Sequence, residues 1–320
     1  MTDWISIAAG LVILTLGAEL LIRGATALAR RFGLSELLIG LTLVGFGTST
    51  PELVSSVQAS LLGAAGVAVG NVVGSNIANI LLILALSALL APIPSDARAF
   101  RRDAPTLAFA TVLAALVALT GSYGRLAGAG FLLTLAAYIA LAYVTERAAP
   151  DSPETQRHKE EAAALPTGPR SLLLDIVMAG AGLGLLMVGA KLLVAGAIAI
   201  AGALGVSDAI IGLSVVAIGT SLPELATSIM AALRGRSALA LGNVVGSNIY
   251  NLLGILGVTA LVAPVAVPAQ IMRVDMWVML AATAAMIFFT MTRNRIERWE
   301  GGALLAGYAA YVGWLIASAG

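Results

Sequence analysis

Residues 70–79 read GNVVGSNIAN, and residues 242–251 read GNVVGSNIYN. The first eight letters recur unchanged, 172 positions apart. At the same offset GFGTSTPEL at 45–53 lies over AIGTSLPEL at 217–225. Gly17 and Ala18 lie over Gly189 and Ala190, and Pro92 lies over Pro264. From 32 to 92 the two stretches agree at 15 of the first 30 positions and 18 of the next 31, with no gap. Chance similarity between apolar segments does not keep Thr, Ser, Pro, Glu and Asn in register. The chain is an internal duplication.

What surrounds the motifs gives the fold class. The 320 residues are 59% hydrophobic and 11% charged, where a soluble domain carries about a quarter charged. The mean hydropathy is +0.98. So much apolar surface cannot be hidden from water in a chain of this size, so the expectation is an integral membrane protein. Its apolar runs are continuous and about 20 residues long, which fits helices rather than alternating barrel strands. Five spans are expected near 4–30, 35–61, 66–91, 104–120 and 126–145, and five more near 171–202, 208–233, 238–263, 274–292 and 302–318. The Pro-rich, charged stretch at 146–170 separates them and reads as a solvated linker.

The domain plan is therefore a first repeat at 1–145, with its motif at 45–79, and a second repeat at 171–320, with its motif at 217–251. Each repeat has an odd number of spans, so the second enters the membrane inverted. Inverted repeats are a transporter architecture with a site at the midplane. Basic residues test the topology, because they gather in cytoplasmic loops. With both termini outside, fourteen Arg and Lys fall in inside loops and only Arg125 and Arg273 fall outside. The expected location is the plasma (inner) membrane, with the linker cytoplasmic. The opening MTDWISIAAG lacks a basic n-region, so no cleaved signal peptide is expected.

Composition excludes several chemistries. There is no Cys, and the single His158 lies in the linker. Thiolate and His-based metal sites and most Ser–His–Asp chemistry are thereby removed, and no nucleophile–base pair suggests an enzyme. Glycines at 179–184 and in GNVVG suit helix packing, because no strand precedes them as a nucleotide loop requires. No organic cofactor and no nucleic-acid partner are expected.

Against this background Glu52 and Glu224 stand out, because intramembrane carboxylates mark function. Thr48 and Ser49 lie four and three residues before Glu52, on one helix face, and Thr220 and Ser221 repeat this before Glu224. Pro51 and Pro223 remove helical donors from the carbonyls of Gly47 and Gly219. Ser75 and Asn79, like Ser247 and Asn251, are four apart. Carboxylate, hydroxyl, amide and carbonyl oxygens form a donor set for a hard cation. Asn71, Asn76, Asn243 and Asn248 lie off the Ser75–Asn79 face and read as structural. Glu19 reads as a local partner of Arg23, Lys191 as a snorkelling residue, and Asp103 and Asp275 as interfacial helix-start residues. Glu154, Glu160 and Glu161 lack a calcium-loop pattern and read as solvated linker.

GTSTPELVSSVQAS with AVGNVVGSNIANILLIL, and GTSLPELATSIMAA with ALGNVVGSNIYNLLGILG, resemble the alpha-repeats of the cation/calcium antiporter superfamily, in particular its prokaryotic sodium/calcium exchangers. The resemblance covers the whole chain. It implies exchange of Ca²⁺ for Na⁺ by alternating access, with the first and sixth helices sliding past a core and a monomer sufficient for transport. By position it implies Glu52 and Glu224 as central Ca²⁺ ligands and Thr48, Ser49, Thr220 and Ser221 as ligands shared with Na⁺. Ser75, Asn79, Ser247 and Asn251 complete the ring, with backbone oxygens at Gly45 and Ala217. Many sodium/calcium members carry Asp where Asn251 stands. The fixed charge expected here is −2, which one Ca²⁺ or two Na⁺ neutralise, so the family's electrogenic ratio is in question, although an Asn can mimic a protonated Asp and the departure does not exclude that ratio. The alternatives are a proton/calcium antiporter of the same superfamily and, from another class, a cation channel.

Overall fold

The computed structural model describes residues 2–32, 34, 36–95, 97–148, 169–203 and 217–319. In chain order, α1 (Thr2–Phe32) precedes a broken element made of α2 (Glu36–Ile39), a π-turn (Gly40–Val44), α3 (Gly45–Thr48) and α4 (Thr50–Leu61). Next, α5 (Ala65–Ala78) runs through a π-segment (Asn79–Leu84) into α6 (Ala85–Leu90), followed by α7 (Ala97–Ala118) and α8 (Arg125–Ala148). The second half contains α9 (Pro169–Ala203), α10 (Ala217–Thr220), α11 (Leu222–Leu233) and α12 (Ser237–Ile249). A π-segment (Tyr250–Ile255) joins α12 to α13 (Leu256–Val262), a further one (Ile271–Asp275) leads into α14 (Met276–Arg293), and α15 (Arg298–Ala319) ends the chain. Residues 208–216 of the expected seventh span, and most of the 146–170 linker with His158, Glu154, Glu160 and Glu161, lie outside the described residues.

The protein is an all-helical membrane protein. Among the described residues seven helical stretches are long and apolar enough to cross a bilayer: Asp3–Ala29, Ala65–Leu90, Arg125–Thr145, Leu172–Gly196, Ser237–Val262, Ile271–Arg293 and Arg298–Ser318. The other three expected spans differ for physical reasons. The second is interrupted at Ser49, which is not helical (φ −82°, ψ 8°). The fourth starts at Ala97, earlier than expected, and carries Arg98, Arg101, Arg102 and Asp103 in its first two turns. The seventh is described only from Ala217, with its break at Ser221 (φ −89°, ψ 7°). Pro51 and Pro223 fall in the first turns of α4 and α11, where a missing N–H leaves no helical bond unmade.

Two helical stretches form the centre. In the most apolar 18-residue stretch of Ala65–Leu90 and of Ser237–Val262, 78% and 83% of the residues are buried, against 11% in that of Arg298–Ser318. Their apolar residues, including Val72, Ile77, Val245 and Leu253, build the main core together with Leu107, Phe131 and Met279. The outer face is apolar too, with Trp4, Leu126, Leu133, Trp277, Phe288 and Ile316 exposed. In lipid that exposure carries no hydrophobic penalty, and Trp4, Trp277 and Trp299 stand near helix ends, where aromatic side chains favour the interface.

A second core lies between α1 and α9 and includes Leu14, Leu21, Ala179 and Leu186. The two helices pack antiparallel along six glycines. Gly10, Gly17 and Gly24 are seven apart, as are Gly182, Gly189 and Gly196. A Cβ on Gly17 would lie 2.8 Å from the Leu186 nitrogen, and one on Gly182 would lie 2.4 Å from the Leu21 nitrogen. Backbone therefore meets backbone, the close approach that small residues allow in membranes. Arg31 of α1 and Asp175 of α9 form an ion pair at one end of this seam.

Short strands tie the two halves together crosswise. β1 (Ile93–Pro94) pairs antiparallel with β4 (Arg295–Ile296), and β2 (Ser122–Tyr123) pairs with β3 (Val265–Ala266). The turns after α4 and α11 use Gly63 (φ 74°) and Gly235 (φ 69°), equivalent positions in the left-handed region that glycine adopts without strain.

Asp103 corrects one expectation. It is not at the helix start but seven residues in, and almost fully buried. It can be buried there because Arg102 donates to both of its carboxylate oxygens (2.6 and 3.0 Å) and the Tyr138 hydroxyl donates at 3.0 Å. Asp275 does flank the start of α14 and accepts from the Tyr311 hydroxyl at 2.8 Å. Glu19 pairs with Arg23 at 2.7 Å and also with Arg234 at 3.0 Å. Lys191 is exposed on α9.

Candidate functional site

The breaks at Ser49 and Ser221 shape the site. Each ends a short helix and starts a longer one, so a serine hydroxyl and a first-turn glutamate sit together at a helix N-terminus. Helix N-termini favour negative charge. The hydroxyls then cross between the halves. Ser49 donates to the Oε1 of Glu224 at 2.8 Å, and Ser221 donates to the Oε1 of Glu52 at 3.1 Å. Thr220 and Thr48 stand beside Glu52 and Glu224 respectively. Both carboxylates are 1% exposed.

Asparagines brace the backbone beneath each carboxylate. The Asn71 amide donates to the Glu52 carbonyl (3.1 Å) and to the Ser56 hydroxyl (2.9 Å). Asn243 does the same for Glu224 (3.3 Å) and Ser228 (2.9 Å). The backbone of each motif is thus fixed within its own half, while each carboxylate is held from the other.

The remaining polar residues converge on the same place. Ser221 approaches the Ser75 hydroxyl at 3.4 Å, and Ser247 donates to the Gly45 carbonyl at 3.3 Å. Asn79 opens one π-segment and Asn251 is second in its counterpart. Such π-turns recur at functional sites, because they re-aim side chains within a helix. Asn79 donates to the Asn248 Oδ1 at 3.0 Å. The Oε2 atoms of Glu52 and Glu224, the Oδ1 of Asn79 and both amide atoms of Asn251 are buried with no hydrogen-bond partner among the described residues. Buried polar atoms are ordinarily paired, so these four oxygens are open to a cation. Those oxygens are the hard donors that Ca²⁺ or Na⁺ binds.

A family model for the sodium/calcium exchanger protein matches residues 2–144 and 174–317. The chain belongs to the sodium/calcium exchanger family. The putative antiporter CaxA of Alkalimonas amylolytica is 40% identical over 314 residues, spanning 96% of each chain. The sodium/calcium exchanger MaX1 of Methanosarcina acetivorans is 33% identical and spans 95% of each. A solved structure of the sodium-calcium exchanger NCX_Mj, soaked with 2.5 mM Na⁺ and 0.1 mM Ca²⁺, matches this exchanger-family chain with a TM-score of 0.84 at 32% identity over 98% of both chains.

In this family member the structure brings together Glu52, Glu224, Ser49, Ser221, Ser75 and Thr220, with Gly45 and Ser247 joined beside them. The Thr48 hydroxyl turns back to the Val44 carbonyl at 3.0 Å and also meets the Asn243 Oδ1 at 3.3 Å, the back-bonding common for helical Thr. Ala217 opens α10, and its side chain lies outside the described residues. Gly47 and Gly219 face side chains of α9, at Leu183 and Val194. Asn248, which the sequence gives a structural role, accepts the Asn79 amide and so supports that side chain.

Proposed function

We propose that the protein is a secondary antiporter that exchanges Ca²⁺ for Na⁺ by alternating access. The ions bind between two five-span repeats of opposite orientation, at 1–145 and 171–320, joined by a cytoplasmic 146–170 linker. Both termini lie outside the plasma (inner) membrane, and a monomer suffices. Three observations support the inverted plan: α1 and its duplicate α9 run antiparallel, the strand ties cross between halves, and basic residues gather on one side. The names of the similar proteins MaX1 and NCX_Mj, both sodium/calcium exchangers, support the same reading.

The observation that carries the reading is the pair of buried glutamates. Each is held by a serine of the other half through one oxygen, and its second oxygen has no hydrogen-bond partner among the described residues. Glu52, Glu224, Thr48, Ser49, Thr220, Ser221, Ser75, Asn79, Ser247 and Asn251 would supply side-chain oxygens, and Gly45 and Ala217 would supply carbonyls. Either cation load neutralises the carboxylates, which lowers the cost of carrying the site through a closed state. The bare charged pair crosses poorly, and exchange becomes obligatory. α1 and α9, packed as one unit, are the elements that slide.

Na⁺-gradient-driven ⁴⁵Ca²⁺ uptake in proteoliposomes tests this. Glu52→Gln and Glu224→Gln should each abolish uptake, and near-normal uptake in either variant would sink the model. Uptake driven by a pH gradient in Na⁺-free medium would instead favour protons as counter-ions. A current far above carrier turnover would favour a channel.

A further inference from the structure

The duplication places RRD at 101–103, near the start of α7, over RVD at 273–275, just ahead of α14. Asp103 is held in the interior by its chain neighbour: Arg102 donates to both carboxylate oxygens, and the Tyr138 hydroxyl donates a third bond. Asp275 is 8% exposed and keeps the tyrosine, since Tyr311 donates to its Oδ1 at 2.8 Å. The arginine is not repeated. Val274 stands where Arg102 stands, Arg273 is exposed, and no Lys or Arg pairs with Asp275 among the described residues. A carboxylate this buried in a membrane helix ordinarily has a cationic partner.

Val274 lines a cleft of about 580 Å³, a size at which pockets hold small ligands (roughly 300–1,000 Å³). The cleft exists because α15 packs on α6 and the π-segment at Asn79–Leu84 rather than along α14. Val278, Ala282, Ala285, Leu304 and Gly307 give it small, apolar walls. Tyr311 also lines it, so the Asp275 carboxylate bonded to that hydroxyl stands at this end. Towards the other end Phe289 lines it and meets Trp299 edge to face at 5.9 Å. The exposed Trp277 and Trp314 flank the Asp275 end, and such aromatic residues sit at headgroup depth. The cleft thus has an acidic end level with the headgroups and an apolar body in the hydrocarbon.

We infer that this cleft binds a phospholipid with a primary ammonium headgroup. One acyl chain lies between α14 and α15, and the ammonium takes at Asp275 the place that Arg102 takes at Asp103. Each part of such a lipid meets its complement. The second carboxylate oxygen of Asp275 has no hydrogen-bond partner among the described residues, and an ammonium donates to a carboxylate through short, charge-assisted bonds. The hydrocarbon chain supplies contacts that the small wall residues would otherwise lack. A bare metal cation fits less well, because one carboxylate and one phenol fall short of the six or more oxygens that a Ca²⁺ site collects. An anionic headgroup would meet the like charge of Asp275.

The test titrates purified full-length protein in detergent with phosphatidylethanolamine or with phosphatidylglycerol of identical acyl chains. Native mass spectrometry counts the bound lipid. The wild type should retain one phosphatidylethanolamine about tenfold or more tightly than phosphatidylglycerol, the scale of one hydrogen bond to a charged group. Asp275→Asn leaves an acceptor for Tyr311 and should erase that preference. Val274→Arg should erase it too, by supplying the cation that the first repeat carries in its own chain. In Gly307→Leu the new Cβ meets only the Leu81 side chain, at 3.9 and 4.0 Å; the rest of the side chain fills the cleft and should abolish retention. Equal retention of the two lipids by the wild type overturns the inference, and this comparison needs no variant to fold. A preference that survives in folded Asp275→Asn, or retention unchanged in Gly307→Leu, overturns it as well. So does a dimer that forms in place of lipid binding, because a second copy would then cover the cleft. None of these readouts involves Ca²⁺ uptake, so the inference stands or falls apart from the exchange reading.

Discussion

The seam between α1 and α9 makes a sharp prediction for Gly182→Ala. The new Cβ would lie 2.4 Å from the Leu21 nitrogen, 2.8 Å from the Gly17 carbonyl oxygen and 2.8 Å from the Leu21 Cα. All three are backbone atoms, so no side chain can swing aside. Ordinary contact needs about 3.5 Å or more, and the helices must part by roughly 1 Å near this point. A gap of that size forfeits a quarter to a half of each neighbouring contact energy, and wedging a methyl into packed structure costs about 1–3 kcal/mol. Gly184 is the control, because it lies on the same helix with nothing within 4 Å of its would-be Cβ. There the substitution should be neutral or should stabilise by about 0.5–1 kcal/mol through helix propensity. Thermal unfolding in detergent reads the difference, at about 2–4 °C per kcal/mol for chains of a couple of hundred residues. Gly182→Ala should melt several degrees below wild type and Gly184→Ala at or above it. Equal shifts in the two variants would refute backbone-on-backbone packing.

Two further outcomes follow from the site. Saturating Ca²⁺ at about 100 times its Kd should stabilise the wild type by about 2.7 kcal/mol, seen as a raised Tm that chelator reverses; Glu52→Gln should lose most of that rise, and retaining it would place the ion elsewhere. Ser49→Ala and Ser221→Ala each remove one cross-half bond to a buried carboxylate, worth about 1.5–3 kcal/mol. Both should weaken Ca²⁺-dependent uptake by tenfold or more and to similar extents, and a large effect from only one would show that the halves contribute unequally.

Much of this architecture was legible in the sequence because the duplication supplies its own alignment. The apolar runs and the Gly-Pro punctuation located the seven unbroken apolar spans to within a few residues, but the fourth helix starts seven residues earlier than the runs suggest, and the two glutamates were marked by their setting. Local spacing could not show where hydroxyls point. Ser49 was matched to Glu52, its neighbour in sequence, and the structure gives it to Glu224 across the site, because the helix breaks at Ser49 and the i,i+3 relation no longer holds there. Asp103 misled for a related reason. Its burial depends on Tyr138, 35 residues away, and no local pattern reveals that partner. The π-segments at Asn79 and Tyr250 were equally invisible, since they leave the apolar periodicity almost unchanged.

The crossed serine–glutamate bonds also set a schedule for synthesis. Glu52 finds its Asn71 brace within 19 residues but its Ser221 partner only 169 residues on. At about 5–20 residues per second the ribosome needs roughly 10–30 s to make that stretch. Throughout that interval the first half can shape its motif but cannot finish it, and its buried carboxylate waits in the bilayer for a hydroxyl not yet translated. The late arrival of the second half then satisfies both carboxylates at once, so a chain interrupted before Ser221 leaves a half whose most costly group is still unsatisfied.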